Sequence, residues 1–326
     1  MDKSAFREYT HGTVLAPMAG TTDSAFRLIC REMGATAVVT EMVAAAGLSR
    51  KSVKSHKLLH FKPAEKPIGV QLFGNRPEDF ARAAEIVSGL GFDFIDINAG
   101  CPVKKVVTSG SGSALLRDTP LLSALARAAV KETDLPVTVK IRLGWNQEEP
   151  VHPQLPKVLA DEGVKALAVH GRYRSDMFSG TVRTECIKEI VDRSPIPVVA
   201  NGDVRSPEGA LLLKRRTGAS GIMVGRGAMG NPWIFRCLKS GRAEDCIPAP
   251  CEVTATIRRQ MDLMSRYIPV PHLYHILRGH LLQYIRDFRG ASRLRGRASR
   301  VDSREDLEDI LKVLEKLLKE DREKNE

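Results

Sequence analysis

The sequence predicts an α/β protein, a (β/α)8 TIM barrel followed by a C-terminal all-helical domain. From residue 13 to about residue 235, short apolar runs alternate with longer stretches of helical periodicity, as in successive βα units. The apolar runs show almost no polar alternation, which is typical of parallel strands buried on both faces. After residue 239 the composition changes, and no strand-like run follows.

Eight apolar runs form the predicted strands. They begin at residues 14, 37, 68, 94, 137, 166, 197 and 221, and they read VLAP, AVVTE, IGVQL, FIDIN, VTVKI, ALAVH, PVVAN and GIMVG. Eight such units within about 225 residues match a closed parallel barrel. An open doubly wound sheet would also alternate strands and helices, but no GxGxxG motif follows the first run to support a dinucleotide-binding half.

The stretches between the runs predict helices, several of which open with Pro, Asp, Ser or Thr near the N-cap. The predicted helices span residues 23–33, 77–89, 119–131, 154–162, 183–192 and 207–216. The pattern of residues 44–66 is less clear. We expect residues 1–243 to form the barrel and residues 251–326 to form a helical bundle, joined by a linker with two prolines.

Net charge and cysteine usage indicate which partners and which cellular compartment to expect. The formal net charge is +11 and the pI is about 9.5, which favours a polyanionic partner, nucleic acid above all. An uneven charge balance without a binding role explains the same numbers. The six cysteines form no CxxC pair and the N-terminus lacks the apolar core of a signal peptide, so we expect a cytoplasmic protein. We expect no metal site, no membrane association and no obligate protein partner.

Polar and small residues stand where the predicted strands end. In a barrel of this type the active site forms at the carboxyl ends of the strands. The positions there are Pro17, Met18, Ala19, Glu41, Gln71, Asn98, Cys101, Lys140, Arg142, His170, Arg172, Asn201, Gly202, Asp203, Gly225 and Arg226. One such Asn or Gln alone would more often make a structural hydrogen bond. Together they predict a single polar mouth.

Two further features favour a phosphorylated cofactor or substrate, and a flavin ring, at this mouth. NGDV and VGRG close the seventh and eighth runs, where barrels commonly bind phosphate through backbone N–H groups. The alternative is two ordinary turns with a surface arginine. Lys140 lies within a strand, where a buried ammonium needs a partner, and a flavin ring that becomes anionic on reduction would provide one. A lysine that extends to solvent at the barrel end is the alternative.

The motifs of this chain resemble those of the tRNA-dihydrouridine synthases, most of all the bacterial B-type branch. They are, in order, PMAGTTDSAFR, VQLFGNRPEDF, DINAGCPVKKV, SGSALLRD, VKIRLGW, VHGR, ANGDV and VGRGAMGNPWIF. The resemblance implies an FMN-binding barrel and a helical tRNA-binding domain, which reduce the C5=C6 bond of selected uridines with electrons from NADPH. A flavin barrel acting on a small free pyrimidine, as in dihydroorotate dehydrogenases, and an RNA-binding module on a degenerate barrel are the competing interpretations.

The resemblance also implies roles for single residues. The implied FMN-binding residues are Pro17, Met18, Ala19, Gln71, Lys140, His170, Asn201, Gly202, Asp203, Gly225 and Arg226. Cys101 would be the proton donor, and Asn98 would line the uracil pocket, with Arg142 and Arg172 as further substrate-binding residues. The chain departs from the family pattern at Thr108, Ser109 and Tyr173, and within SGTVRTEC, positions that bear on substrate placement more than on the chemistry.

A basic segment of the helical region supports an RNA partner independently. In RDFRGASRLRGRASR, the residues Arg286, Arg289, Arg293, Arg297 and Arg300 are spaced 3, 4, 4 and 3, which predicts a helix with all five on one face. Asp287 is the only acidic residue between 286 and 300. A solvated basic face usually interleaves acids to relieve repulsion, so we predict that this face binds tRNA phosphates.

Cys101 has the chemistry that a proton donor requires. Its unperturbed pKa of about 8.5 leaves the thiol protonated at neutral pH, provided that basic neighbours do not lower this pKa strongly. We therefore expect Lys104 and Lys105 to point away from the thiol. The stretch TSGSGS at 108–113 could let the following loop close over a flipped-out base.

Overall fold

Eight parallel strands close into a barrel. The computed structural model of the protein describes residues 3–324. Each strand pairs with the next one along the chain, and the first strand also pairs with the eighth. The strands are β1 (Thr13–Leu15), β2 (Ala37–Ala44), β3 (Ile68–Phe73), β4 (Phe94–Ala99), β5 (Val137–Arg142), β6 (Ala166–His170), β7 (Val198–Asn201) and β8 (Gly221–Val224). The predicted fold class is confirmed, and the carboxyl ends of all eight strands surround one mouth.

The described part of the barrel region also contains ten α-helices. They are α1 (Lys3–His11), α2 (Ser24–Glu32), α3 (Ala45–Ser49), α4 (Val53–Lys57), α5 (Pro77–Ser88), α6 (Lys104–Val107), α7 (Thr119–Lys131), α8 (Leu155–Asp161), α9 (Thr184–Arg193) and α10 (Pro207–Thr217). All six predicted helices are present, and none of their bounds differs from the prediction by more than one residue. The N-caps include Asp23, Asp118 and Ser206, whose side chains accept a backbone N–H of the first turn.

The segment 44–66, whose pattern is unclear in the sequence, contains short elements. β2 runs on to Ala44, three residues beyond the predicted run, through a register shift between Val39 and Met42. The short helices α3 and α4 follow, and a 3-10 turn at Pro63–Glu65 leads into β3. Elements this short have too few residues to show a periodicity, which is why the sequence does not reveal them.

The chain after β8 is helical, as predicted. It contains α11 (Ile234–Ser240), α12 (Pro250–Met264), α13 (His272–Tyr284), α14 (Ala291–Ala298) and α15 (Arg304–Glu323). Its apolar core includes Ile257, Leu277 and Leu311, and it extends onto Leu28 and Ile29 of α2. The helical region is therefore packed against the barrel through α2. Its division from the barrel at residues 243–251 as a separate domain stays a prediction, and residues 1–2 and 325–326 of the predicted ranges lie outside the described residues.

The prediction of one helix across residues 286–300 is wrong. α13 ends at Tyr284, and α14 begins only at Ala291. Between them, Asp287 and Gly290 have φ angles of 63° and 92°, values of the left-handed region that interrupt a right-handed helix. The arginines of this segment therefore do not share one helical face.

The amino-terminal end of the barrel is closed by α1. Tyr9 of this helix is completely buried, and its ring centroid lies 4.4 Å from that of Phe94. Both residues belong to a cluster inside the barrel that also contains Val14 and Ala37. A Cβ atom on Gly69 would lie 2.1 Å from the Phe94 ring, so only glycine fits beside this ring at that position of β3.

Cysteine pairing differs from what the sequence indicates. Cys237 and Cys246 form a disulfide, which the scattered cysteines of the sequence did not predict. Within residues 3–324, no group of three or more His, Cys, Asp or Glu side chains is arranged to hold a metal ion. None of the helices described for this chain is both long enough and apolar enough to cross a bilayer.

A buried ion pair joins the start of α2 to the turn before β3. The Nε of Arg27 lies 2.7 Å from Oε2 of Glu65, and the two side chains are 2% and 0% exposed. Arg27 also donates to the carbonyls of Thr22 and His60, at 2.7 and 2.8 Å. Glu65 accepts from the Ser24 hydroxyl, so the charges of both partners are hydrogen-bonded.

We expect Arg27→Met to lower the free energy of unfolding by about 3–5 kcal/mol, because it leaves the Glu65 carboxylate buried without its partner. Denaturant unfolding followed by circular dichroism measures this change. Lys157→Met is the matched control, since Lys157 and Asp161 form a pair with both side chains 63% exposed, and we expect it to change stability by no more than about 0.5 kcal/mol. Equal effects of the two substitutions would contradict a stabilising role of the buried pair.

Candidate active site

Strand register places polar side chains at the mouth of the barrel. Side chains two residues apart on a strand point to the same side. Because Phe94 lies inside the barrel, Asp96 and Asn98 of β4 point inward as well. Asn98 is the register partner of Lys140, and His170 is that of Asn201. The convergence that the barrel hypothesis requires is therefore present on β4 to β7.

A chain of hydrogen bonds runs along β3 and β4. Gln71 Nε2 donates to Asp96 Oδ2 at 2.7 Å, and Asn98 Nδ2 donates to Gln71 Oε1 at 2.7 Å. All three side chains are buried. Burial raises the pKa of Asp96 to about 6, against the lowering effect of hydrogen bonds from Thr138 and Gln71 and of the Lys140 charge. At neutral pH the Asp96 carboxylate is therefore ionised.

Asn98 also holds the loop that carries Cys101. Its Oδ1 accepts the backbone N–H of Gly100 at 3.2 Å and that of Cys101 at 2.9 Å. The Cys101 carbonyl accepts the N–H of Ser113 at 3.0 Å. A Cβ on Gly112 would lie only 2.7 Å from this carbonyl, so the glycine-rich stretch packs closely against the cysteine.

The Cys101 thiol is protonated at neutral pH. Burial raises its pKa, and this effect outweighs the lowering effects of the Val103 N–H and of the Arg142 and Lys140 charges. The predicted neighbours Lys104 and Lys105 have exposed side chains on α6. The cations that do act on the thiol therefore come from β5 and not from the lysines that follow Cys101 in sequence.

Lys140 has a partner of its own. Its Nζ donates to Asn201 Oδ1 at 3.2 Å, and Asn201 Nδ2 donates to the Met223 carbonyl at 2.8 Å. Burial lowers the pKa of Lys140 to about 8, and the nearby Arg142 charge acts in the same direction. The ammonium is still mostly charged at neutral pH, so the mouth contains a fixed cation beside Asn98.

His170 is neutral in this setting. Burial and the charges of Lys140, Arg142, Arg172 and Arg226 lower its pKa to about 2. Arg172 Nη1 lies 3.2 Å from His170 Nε2, and a guanidinium can only donate. His170 therefore accepts at Nε2 and carries its proton on Nδ1. Four cationic groups act on one uncharged imidazole, which marks this side of the mouth as strongly electropositive.

Arg142 and Arg172 are almost fully buried, at 2% exposure each. Arg142 donates to the carbonyls of Gly100 at 3.0 Å and Tyr173 at 2.7 Å. Arg172 donates to the carbonyls of Ser179 and Gly180. Both guanidinium groups thus hydrogen-bond to backbone segments next to the mouth. Direct binding of substrate by these two arginines stays a prediction.

The turns after β7 and β8 meet at Asp203. This carboxylate pairs with Arg172 and, at 3.0 Å, with Arg226. Partial burial opposes its ionisation, but the hydrogen bonds and charges of the two arginines outweigh burial and lower the pKa of Asp203. Gly202 has a φ of 149°, and a Cβ there would lie 2.5 Å from Val182. The position accordingly requires glycine.

The β1 loop and the β8 turn face one another. A Cβ built on Gly225 would lie 3.7 Å from Met18 Sδ and from Ala16 Cβ, an ordinary contact. Met18 is partly buried, and its N–H donates to the Thr22 hydroxyl at 3.0 Å. Pro17 and Ala19 flank it. The sequence-predicted residues of the first and last strands are therefore neighbours in space.

The arginines predicted to bind tRNA separate into two groups. Arg293 and Arg297 lie on α14 with exposed side chains, one helical turn apart. Arg286 is partly buried and donates to the Met229 carbonyl at 2.8 Å, and Arg289 precedes the helix, with its N–H bonded to Asp321. Only the first two present their charges from one helix.

Sequence reasoning missed Asp96 as a member of the site. A carboxylate at the centre of the run FIDIN, two residues before Asn98, is the signal that could have found it. It also missed Phe178, which is 51% exposed. The Phe178 carbonyl accepts from Arg226 at 2.6 Å, and the Arg142 guanidinium lies 5.7 Å from its ring centroid. No pattern in the sequence places this loop beside the mouth.

The departures from the family pattern have local roles in the structure. Tyr173 is buried, with the Arg183 guanidinium 4.9 Å from its ring centroid. Thr108 ends α6, and the Ser109 hydroxyl donates to the Val106 carbonyl at 2.7 Å. Their effect on substrate placement stays an open prediction.

Comparison with known proteins gives concordant matches. The sequence model described as dihydrouridine synthase (Dus) matches residues 14–321. The tRNA-dihydrouridine synthase B of Pseudomonas aeruginosa is 39% identical over 292 residues, which cover 88% of both chains. That of Shewanella oneidensis is 43% identical over 253 residues, covering 78% of this chain and 79% of the relative.

A solved structure is similar at the level of the fold. A variant of morphinone reductase in complex with tetrahydroNAD superimposes with a TM-score of 0.50 and 11% sequence identity. The match covers 70% of this chain and 86% of that chain. At this identity the likeness concerns the barrel architecture alone.

Proposed function

Because the chain belongs to the dihydrouridine synthase family, we propose that it reduces the C5=C6 bond of specific uridines in tRNA to 5,6-dihydrouridine, with FMN as cofactor and NAD(P)H as reductant. Membership confirms the resemblance to the B-type branch that the motifs predict. One observation supports the detailed proposal above all. The protonated Cys101 thiol lies at the barrel mouth, on a loop held by Asn98 and close enough to Lys140 and Arg142 for their charges to act on it.

The residues of the mouth fit FMN. Lys140, Arg142, Arg172 and Arg226 create a positive field that suits a phosphate and a ring that gains negative charge. We propose that FMN is held by Pro17, Met18, Ala19, Gln71, Lys140, His170, Asn201, Gly202, Asp203, Gly225 and Arg226. When bound and reduced by NAD(P)H, FMN supplies the two electrons of the reaction.

We assign the proton of the reaction to Cys101. Reduction of the uracil C5=C6 bond requires an acid at C5, and a thiol whose pKa is raised by burial keeps its proton at neutral pH. We also propose that Asn98, whose Oδ1 anchors the cysteine loop, lines the pocket of the base. Arg142, bonded to the Gly100 carbonyl, would hold the loop from its other side.

We propose that tRNA binds across the mouth and the helical region, with residues 1–243 as the catalytic domain and residues 251–326 as the tRNA-binding domain. The exposed pair Arg293 and Arg297 would contact phosphates, and Arg286 and Arg289 would contribute from the preceding segment. The net charge of +11 supports a polyanionic substrate. We place this activity in the cytoplasm.

The purified protein should be yellow and should release FMN on denaturation, as its absorption spectrum and chromatography would measure. Lys140→Met should slow reduction of the bound flavin by NADPH more than it weakens FMN binding, because the cation stabilises charge that develops only on reduction. Lys157→Met, the same change on the outer helix α8, should leave both properties unaltered. A colourless protein that does not take up added FMN would rule out the flavin proposal.

Cys101→Ala should retain FMN and its reduction by NADPH, while dihydrouridine formation in single turnovers falls by about 10²–10⁴-fold, as for the loss of a general acid. Cys186→Ala, which alters a partly buried free cysteine on α9, is the control and should be active. In the wild type the rate should decline only above the ordinary cysteine pKa of about 8.5, because burial raises that of Cys101. A wild-type rate in the alanine variant would exclude the assignment.

The double change Arg293→Ala and Arg297→Ala should weaken tRNA binding. It should also reduce the slope of the logarithm of the binding constant against the logarithm of the salt concentration by up to about 1.8, since each phosphate contact contributes about 0.9 to that slope. Filter binding at several salt concentrations measures this. Replacing Arg215 and Arg216 with alanine removes the same charge from exposed positions at the end of α10. Equal salt slopes for the two double variants would show that α14 makes no specific phosphate contact.

A further inference from the structure

A continuous line of buried hydrogen bonds connects the middle of the barrel to the Cys101 loop. It begins at Asp96, which is 0% exposed, and whose Oδ1 accepts the Thr138 hydroxyl at 2.6 Å. Oδ2 of the same carboxylate accepts Gln71 Nε2. The line then passes through Asn98 to the N–H groups of Gly100 and Cys101.

The direction of this line is set at Asp96. An ionised carboxylate only accepts hydrogen bonds, whereas each primary amide has one donating and one accepting end. Gln71 must therefore turn its NH2 group toward Asp96, which leaves its oxygen for Asn98. Asn98 must in turn present its NH2 group to Gln71, which leaves its oxygen for the cysteine loop.

The reverse arrangement would disrupt the loop. If Gln71 presented its oxygen at the base of the line, both amides would flip, and the NH2 group of Asn98 would face two backbone N–H groups. Donors would then face donors in a buried setting, where an unpaired polar group is costly. The loop that carries Cys101 would lose its anchor.

From this geometry we propose that Asp96 is a positioning residue, which fixes the orientation of the Gln71 and Asn98 amides and thereby the backbone of the Cys101 loop. The effect of Asp96 on catalysis rests on the proposed function, whereas its effect on the backbone of the Cys101 loop is independent of that function. In this role Asp96 acts through the two amides.

The electrostatic surroundings of Asp96 keep its charge available for this role. The titratable groups that act on it from neighbouring elements are Tyr9 of α1 and Lys140 of β5. The Lys140 charge favours the ionised carboxylate, while burial favours the protonated one. With a pKa raised to about 6, the carboxyl group is ionised at neutral pH and gains a donor proton below this value, which removes the constraint on Gln71.

The test is backbone hydrogen exchange at Gly100 and Cys101, read by NMR or by mass spectrometry of the peptide that contains them, without flavin or tRNA. Asp96→Asn keeps the size of the side chain but permits either orientation of the line. If about a tenth of the molecules adopt the reversed orientation, the protection factor of these two N–H groups cannot exceed about ten, which is a fall of about tenfold or more from a wild-type factor of about 100 or above. Thr138→Val is the matched control at a pH above the range in which its own protection falls, because there it lacks the other bond to Asp96 but retains the charge and hence the orientation.

A pH series provides a readout that does not depend on the folding of the Asp96 variant. In the wild type, protection of the two N–H groups should fall as the pH drops through about 6, the pKa of Asp96. In Thr138→Val this fall should move to higher pH, because the lost hydrogen bond had lowered that pKa. Protection that is independent of pH in both proteins, or unchanged protection in Asp96→Asn, would overturn the proposal.

A single-turnover assay distinguishes failure of the positioning role of Asp96 from failure of the proposed enzymatic function. In single turnovers with tRNA, Asp96→Asn should slow dihydrouridine formation by about 10²-fold, as for a displaced catalytic group. Thr138→Val, assayed at a pH above the range in which its protection falls, should remain within about threefold of the wild type. If the exchange results are as expected but the wild type forms no dihydrouridine, the proposed function fails and the positioning role of Asp96 stands. If the wild type is active and the exchange of Asp96→Asn is unchanged, the positioning role alone fails.

Discussion

The pairing of β1 with β8 is the constraint on which the rest of the structure depends. β1 contributes only three residues, yet it pairs with β2 on one side and with β8 on the other. Because all strands are parallel, closure brings their carboxyl ends around one mouth. It also limits the space inside, where Phe94 leaves room only for glycine at position 69. Residues that are about 200 positions apart in sequence, such as Val14 and Met223, become neighbours as a result.

Closure of the barrel also buries polar groups, which must then find hydrogen-bond partners inside it. Carboxylate, amide and ammonium groups inside a barrel are costly unless they are hydrogen-bonded. The line from Asp96 to Asn98 satisfies three of them, and the Lys140 contact with Asn201 satisfies two more. The same contacts that make burial tolerable also orient the groups, so stability and a defined arrangement at the mouth have one origin.

The helical region supports the mouth from outside. Asp23, the N-cap of α2 just after the β1 loop, accepts from the Tyr267 hydroxyl at 3.1 Å and from His280 Nε2 at 3.2 Å. The turn after β8 approaches α13 so closely that a Cβ on Gly230 would lie 2.1 Å from the Gln283 carbonyl. The β1 loop and the turn after β8 are therefore both held by the helices that follow the barrel. A tRNA contact on those helices would be mechanically connected to the mouth through these bonds.

The sequence by itself determined the eight strands, the six longer helices between them and their order. Apolar runs such as FIDIN and helix signals such as the N-cap at Asp23 are local, and each depends on burial or capping within a few residues. It also placed Cys101, Lys140 and Asn201 at strand ends, because the mouth of a parallel barrel is defined by strand direction. Only the tertiary structure decided which groups meet. It bound Arg142 and Arg172 to backbone carbonyls, ended the basic helix at Asp287 and Gly290, and joined Asp96 to Gln71. Those contacts depend on register and closure, which couple distant residues and leave no periodic signal in the chain.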